Sequence, residues 1–361
     1  MDSRQRVELA LSHQQPDRVP IDYWATGEVT SRLMDRLGLD TLEAVLRHFD
    51  VDFRYIEGPR YVGPEPRTRP DGSVEDHWGV PRVTVEVEAG GAYREVTASP
   101  LEGAADLAEV RDYPHWPSPD WFDYAPVRRQ VERVHAAGKV AVFMGDRMNR
   151  CAQLKPAMYL RGVARILEDL VLAPDVAEYL FARIAEFYTE YARRTLAAAD
   201  GGIDLFFTGD DFGTQNGPFM SPDMWRRFLR DGFKAFVDIG HAFGCRVAHH
   251  SCGSVKALIP DLIDCGLDVL NPLQPDVRDM DHAEIKRLHG DRLSFHGSIS
   301  IQKTLPFGRP ADIRREVRSR FDALAASGGF IFCTAHNLQP DTPLENIDAL
   351  FEAYHALGAY G

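Results

Sequence analysis

The sequence has no apolar run approaching the roughly 20 residues that a bilayer-spanning helix needs. Its first stretch, MDSRQRVELALSHQQPDRVP, has no apolar core of the kind a secretory leader carries. These two absences predict a chain with no membrane partner and a cytoplasmic setting. Cysteine is scarce: five residues (151, 245, 252, 265, 333), an odd number, widely spaced, with no C-x-x-C pair. A disulfide framework is therefore not expected, and a reducing compartment fits. Basic charge is also short, at 41 Lys and Arg against 54 Asp and Glu, a formal net charge of −13. An acidic chain repels phosphate backbones, which argues against nucleic acid as a partner. There is no short repeat, no low-complexity tract and no G-x-G-x-x-G after the first strand, which counts against a dinucleotide-binding sheet.

What is present suits one large core. The 361 residues are 44% hydrophobic, enough for a single barrel-sized domain over 1–361. Residues 61–100 change character. A Pro- and Gly-rich run, YVGPEPRTRPDGS, leads into the alternating HWGVPRVTVEVEAGGAYREVTASP. This predicts a small antiparallel β meander, with Gly90-Gly91 as its turn, inserted into the fold. It could cover the mouth of the fold or form the edge of a homodimer. Elsewhere the rhythm is regular. RVPIDYW (18–24), 139–146, 203–211, 245–252, 267–274, 292–299 and 329–337 read as strands. Helical patterns over 28–49, 124–137, 157–172, 175–199, 222–243, 254–265, 281–288, 310–326 and 344–357 lie between or after them. Apolar strands alternating with helices make parallel βαβ units. With one further strand in the first third, the count reaches that of a (β/α)8 TIM barrel, an α/β fold.

In such a barrel the active site gathers at the C-terminal ends of the strands. Those ends carry Asp22-Tyr23-Trp24, Arg147 with Asn149 and Arg150, Asp210-Asp211, His249-His250-Ser251-Cys252, Asn271, His296, and Cys333 with His336. In VAHHSCGSV (247–255), His250 and Cys252 are two apart and face one way in an extended segment. Imidazole and thiolate are good zinc donors, and a third could come from Cys333 or His336. His249 faces the other way and reads as structural. Of Asp210 and Asp211, one can reach the pocket as a base or clamp, and the other caps the next turn. Arg147 and Arg150 suit an anionic part of a substrate. In DIGHAFG (238–244), Asp238 and His241 sit near the corrinoid-binding pattern D-x-H-x-x-G, but with one residue too many between them. They read as a solvated helix face.

The stretches 3–22, 210–229, 250–275, 293–308 and 336–347 together resemble the uroporphyrinogen decarboxylase superfamily, and within it the methyltransferase-like branch. The resemblance implies the barrel with its site at the C-terminal mouth. The arginine motif R-x-G-R-Y, which grips the tetrapyrrole in true decarboxylases, is replaced by VPIDYWATGEV. The zinc methyltransferases of the branch use His-x-Cys plus a distant Cys just before P-x-T-P. His250 and Cys252 match the first part. Spacing to Pro340-Asp341-Thr342-Pro343 puts His336, not Cys333, at the distant place, as in the decarboxylases. Ser300 stands where relatives commonly have Asp, which suggests an altered substrate pocket. The expectation is a zinc enzyme moving a methyl group between a small methylated substrate (a methyl ether, methylamine or thiol) and a methylcorrinoid (cobalamin) on a separate protein. Zinc would be held by His250, Cys252 and His336, with Cys333 the alternative third ligand. Asp210, Asp211 and His336 would be catalytic. Tyr23, Arg147, Asn149, Gln215, Asn271 and His296 would bind substrate. The alternatives are a metal-independent decarboxylase of a small carboxylic acid, a lyase, and a non-enzymatic tetrapyrrole or metal binder.

Overall fold

The computed structural model describes residues 1–86, 92–145 and 150–360. It is an α/β structure built on a curled parallel sheet of seven strands: β1 (Phe53–Tyr55), β2 (Val140–Phe143), β3 (Leu205–Gly209), β4 (Arg246–His250), β5 (Val269–Asn271), β6 (Ser294–His296) and β7 (Phe330–Ile331). The strands pair in chain order, all parallel. Successive side chains alternate between two cores. Val140 and Val142 of β2 enter an inner core with Phe53, Leu205, Phe207, Ala248, Val269 and Ile331. Ala141 and Phe143 enter the outer core under the helices. The strands are buried on both sides, which is why they read as continuous apolar runs.

The expected strand at 18–24 is an extended segment touching both edges of the sheet. Phe332 N donates to Pro20 O at 2.8 Å, Asp22 N to Phe332 O at 2.9 Å, and Asp52 N to Ile21 O at 3.0 Å. The strand hidden in the first third is β1. The helix Ser3–Leu11 closes the opposite, N-terminal end, where its Val7 and Leu11 join the inner core. Arg6 and Arg18 anchor this end on the fully buried Asp52, at 2.7 and 2.8 Å.

The helix expected over 157–172 is two helices, Leu154–Arg161 and Val163–Leu172, split at Gly162. Its φ of +87° is open to glycine and strained for other residues. The buried Arg161 holds the joint by pairing with Asp169 at 2.6 Å and donating to Ala104 O at 2.8 Å. Before β2, the chain forms a small antiparallel sheet of Val74–Glu75, Pro81–Glu86 and Ala92–Val96. The Gly90-Gly91 turn lies outside the described residues. Tyr93 Oη donates to Gln339 Oε1 at 2.9 Å, tying this sheet to the loop after His336. The near-corrinoid residues lie on the helix Arg230–Ala242, where Asp238 pairs with Lys234 at 2.6 Å and His241 with Asp268 at 2.7 Å.

Candidate active site at the strand ends

Strands β3, β4 and β5 are in register at their ends, with Gly209 opposite His250 and His250 opposite Asn271. This places His250 in the middle of the strand-end layer. Its Nδ1 lies 2.6 Å from Asn271 Oδ1. Asn271 Nδ2 lies 2.6 Å from His296 Nδ1, and His296 Nε2 lies 2.9 Å from Asp22 Oδ2. One proton assignment satisfies the whole row. His296 Nε2–H donates to Asp22, Asn271 Nδ2–H donates to His296 Nδ1, and His250 Nδ1–H donates to Asn271 Oδ1. Asp22 Oδ2 also accepts from Tyr55 Oη at 2.6 Å and Trp24 Nε1 at 3.1 Å. The row leaves the lone pair of His250 Nε2 directed away from Asn271, as a metal ligand needs.

Around that lone pair, Cys252 Sγ lies 3.3 Å from His250 Nε2, and the ligand atoms of His250, Cys252 and His336 all lie within 4.8 Å of one another. Donors about 2.0–2.3 Å from a tetrahedral zinc are roughly 3.3–3.8 Å apart; His250 and Cys252 meet this spacing, and His336 lies within 4.8 Å of both. Burial is the largest influence on His250. It lowers the imidazole to about 3, so the ring is neutral. Burial likewise raises the Cys252 thiol to about 12, helped by Asp211. Such a sulfur becomes a thiolate only when a cation takes the proton's place. His336 Nδ1 accepts from Asn337 N at 2.8 Å. In the neutral ring the proton is then on Nε2, which acts as a donor; to ligate a metal through Nε2 the ring would carry its proton on Nδ1 and give up the bond from Asn337 N.

Asp210 and Asp211 divide their tasks as the sequence suggests, and the structure assigns each. Asp210 is buried and accepts from the backbone N–H groups of Gln153, Leu154 and Lys155 at 2.6–2.8 Å. It caps the helix Leu154–Arg161 and is not a pocket base, which corrects the catalytic expectation for it. Asp211 lines the cavity. It accepts from Cys252 N at 3.1 Å, pairs with Lys155, and lies 3.6 Å from His250 Nε2. Burial alone would raise its pKa, but the Lys155 ammonium and these hydrogen bonds outweigh that and hold the carboxyl below its usual range.

The cavity beside this cluster has a volume of about 250 Å³. Trp24, Met144, Pro156, Tyr159 and Tyr188 supply its apolar walls, and Arg150, Lys155, Asp211, His250, His336 and Asn337 its polar ones. The small antiparallel sheet contributes Asp76, Trp78, Val80 and Arg82. This small sheet therefore forms part of the cavity wall.

Several expected site residues lie elsewhere. Tyr23 turns outward, bonds Thr30 Oγ1 at 3.0 Å and packs on Phe49 in the outer core. Gln215 is exposed on the loop after β3, away from the cavity. Asn271 and His296 are fully buried behind His250 and do not touch the cavity. Cys333 is buried beside Asp22 and His296, apart from the His250 cluster, so the alternative third ligand is excluded by position. Ser300 hydrogen-bonds Asp276 and Lys303 N and leaves the cavity untouched. Arg147 and Asn149 lie outside the described residues. His249 faces the helices, stacked on Phe212 at 5.0 Å. The sequence reading missed Lys155, Tyr159, Tyr188 and the wall from the small sheet. Asp76, Trp78 and Val80 lie in the turn between Val74–Glu75 and Pro81–Glu86, so no strand alternation announces them.

A sheet with its polar side chains gathered at the carboxyl ends of the strands marks an α/β protein with its site at that end. Residues 151–357 match the Uroporphyrinogen decarboxylase (URO-D) family, and the chain belongs to it. It is 31% identical over 202 residues to "Methylcobamide:CoM methyltransferase MtaA" of Methanosarcina barkeri, covering 54% of this chain and 56% of that protein. It is 27% identical over 187 residues to "Uroporphyrinogen decarboxylase" of Thermus thermophilus, covering 50% of each. The chain thus spans about half the length of the curated relatives it matches. Among solved structures, a "methyltransferase from Methanosarcina mazei" superposes over 99% of both chains with a TM-score of 0.65 at 20% identity, a likeness of fold. No helix among the described residues is long and apolar enough to cross a membrane.

Proposed function

We propose that this protein is a zinc-dependent methyltransferase that moves a methyl group between a small methylated substrate and a corrinoid carried by a separate protein. The observation that carries the reading is the His250, Cys252 and His336 cluster, with its ligand atoms within 4.8 Å and His250 fixed by Asn271. Similarity to the Methanosarcina barkeri methyltransferase supports it. We also read the segment 20–25 as the eighth member of the ring. That makes 1–361 one (β/α)8 barrel with 61–100 inserted.

The three ligands would hold zinc, which as a Lewis acid stabilises negative charge on the substrate heteroatom. The chain's own groups do the rest. Asp211, pinned by Lys155, orients the Cys252 backbone. The aromatic walls exclude water. In the direction toward the corrinoid, the heteroatom–methyl bond breaks and its electron pair stays on the heteroatom. A reduced corrinoid on the partner protein would supply the electron pair for its new bond to the methyl group. The test is metal content after purification without added metal. About one zinc per chain, lost in Cys252→Ala and His336→Ala, is the expected outcome. A protein that takes up no zinc even when it is offered refutes the reading. Cys252→Ser should weaken metal binding and activity together.

A second reading, decarboxylation of a small carboxylic acid, is favoured by the cavity's cations and the likeness to the Thermus thermophilus protein. Carbon dioxide release with no corrinoid present would decide for it.

A further inference from the structure

A second cavity lies beside the first. It has a volume of about 540 Å³ and is bounded by the segment 22–25, the helices Gly27–Leu37 and Leu42–His48, and β1. Trp24, Met144 and Asn337 line both cavities and therefore form the partition between them. The outer end opens at Gly27 and Leu42, both exposed. The partition is held unevenly. Trp24 is fixed, its Nε1 donating to Tyr55 Oη at 2.6 Å and to Asp22 Oδ2 at 3.1 Å. Asn337 bonds His336 Nδ1 and Gln339 Nε2 through backbone atoms alone, so no hydrogen bond among the described residues holds its side-chain amide. Met144 is unbranched, with a flexible thioether that repacks at little cost.

Methyl transfer gives such a second opening a use. The bond that forms and the bond that breaks lie in line, on opposite faces of the methyl carbon. The two reactants must therefore meet from opposite sides. A corrin ring is too large for about 250 Å³ and stays with its carrier outside the first cavity. A carrier docked at the strand ends traps a small reactant beneath it, unless that reactant has its own way in and out. Charge says what can use the way. Among the described residues the charged groups of the second cavity are already paired. Glu43 pairs with Arg54 at 2.7 Å, and Asp22 accepts from Tyr55, Trp24 and His296. Trp24, Ala25, Leu42, Leu46 and Phe53 supply apolar wall. Such a passage suits an uncharged molecule.

We propose that the second cavity is the entry route of the small, uncharged reactant, which reaches the His250 cluster past Asn337 and Met144. This rests on the methyl-transfer reading for why two routes are needed. The small molecule then exchanges through the side of the fold, between β1 and the helices Gly27–Leu37 and Leu42–His48, while the corrinoid carrier stays docked. Met144 and Asn337 swing aside to let it pass, and Trp24 keeps its place between Tyr55 and Asp22.

Access can be measured without chemistry. The probe is imidazole at about pH 8, where it is mostly neutral. It is mixed by stopped flow with cobalt(II)-loaded protein, whose visible absorption reports a ligand arriving at the metal. A Cβ added at Gly27 meets nothing within 4 Å, so Gly27→Trp enters the mouth of the cavity without a clash at its Cβ. Leu42→Trp is the second plug, and Gly27→Ala is the control that leaves the mouth open. Each plug should slow association and dissociation together, by about fivefold or more, with the dissociation constant within about twofold of wild type. A narrowed route slows entry and exit equally, whereas an altered site changes affinity. Met144→Ala thins the partition and should speed both steps, and Gly27→Trp should cancel that gain. Unchanged rates in both plugged variants, or a change in affinity in place of matched changes in rate, overturns the proposal. Cobalt uptake tells the two readings apart. A protein that takes up no cobalt removes the zinc reading and the route with it. One that takes up cobalt, and exchanges imidazole at the same rates with and without the plugs, removes the route alone.

Discussion

Asn271→Leu isolates the row behind His250. The two side chains are close in size, so the packing of a fully buried position is kept while both of its hydrogen bonds, at 2.6 Å each, are lost. His250 Nδ1–H then has no acceptor and His296 Nδ1 no donor. A buried donor stranded in this way costs about 1–3 kcal/mol. Part of that cost is relieved by letting His250 turn or change tautomer, which removes Nε2 from the cluster. The expected result is a zinc affinity lower by about 10–100-fold, or about 1.4–2.8 kcal/mol at 1.4 kcal/mol per tenfold. Competition with a chromophoric chelator measures it, and the absorption of the cobalt-substituted protein reports the geometry. Asn271→Asp keeps the acceptor for His250 and should stay within a few-fold of wild type. Urea unfolding of the metal-free proteins separates affinity from stability. If Asn271→Leu binds zinc as tightly as wild type, the row does not orient His250 and the argument is wrong.

The two adjacent aspartates should separate cleanly on mutation. Asp210→Ala strands three backbone N–H groups at a helix start and should cost about 2–4 kcal/mol in urea unfolding. Asp211→Asn should leave the fold nearly as stable but reduce turnover at least tenfold, since it unpins Lys155 and the Cys252 backbone. A stability loss in Asp211→Asn larger than in Asp210→Ala would reverse the assignment. Acid should destabilise the protein early. Burial holds His249 and His250 at about 3 and His282 at about 4, each lowered from an ordinary value of 6.5. The unfolded chain therefore takes up protons that the fold refuses as pH falls from about 6.5 to 4, and stability is lost on acidification. Asp210 works the other way. Burial raises it from 3.8 to about 6, so below pH 6 the fold keeps a proton that the unfolded chain has released. Three imidazoles against one carboxyl leave a net of about two protons, or about 3 kcal/mol per pH unit. Asp210→Asn should steepen the fall. A stability flat between pH 7 and 5 would refute the sign.

The parallel strands were legible because burial on both faces leaves continuous apolar runs such as VAVF and LFF between helices. β1 was not, since Phe53-Arg54-Tyr55 is three residues long and carries a charge. Arg54 lies outside the inner core and pairs with Glu43 at 2.7 Å, a contact that no local pattern announces. The break at Gly162 was hidden for a different reason. Glycine within a helical pattern is tolerated, and only its φ of +87° shows that this one ends a helix.

In the site, legibility followed distance along the chain. His250 and Cys252 share a strand end, and the spacing of two already put them together. His336 needed the resemblance to a family, and its approach to His250 depends on the seventh strand curling round to face the fourth. Asn271 and His296 ended strands as expected, but a strand end inside a barrel has two layers. Polar residues that look alike in sequence either meet the substrate or stand behind the residue that does. Which one they do is fixed by register: Asn271 lies opposite His250, so its amide is spent before it can reach the cavity. The same logic explains Arg82. Alternation placed it on one face of a small sheet, but only the docking of that sheet over the strand ends, with Tyr93 tied to Gln339, turns that face into a cavity wall. A segment that precedes the second strand can therefore alter what the cavity binds without moving any residue of the His250 cluster. Substitutions at Arg82 and Trp78 should accordingly change substrate choice while leaving zinc content at the wild-type level.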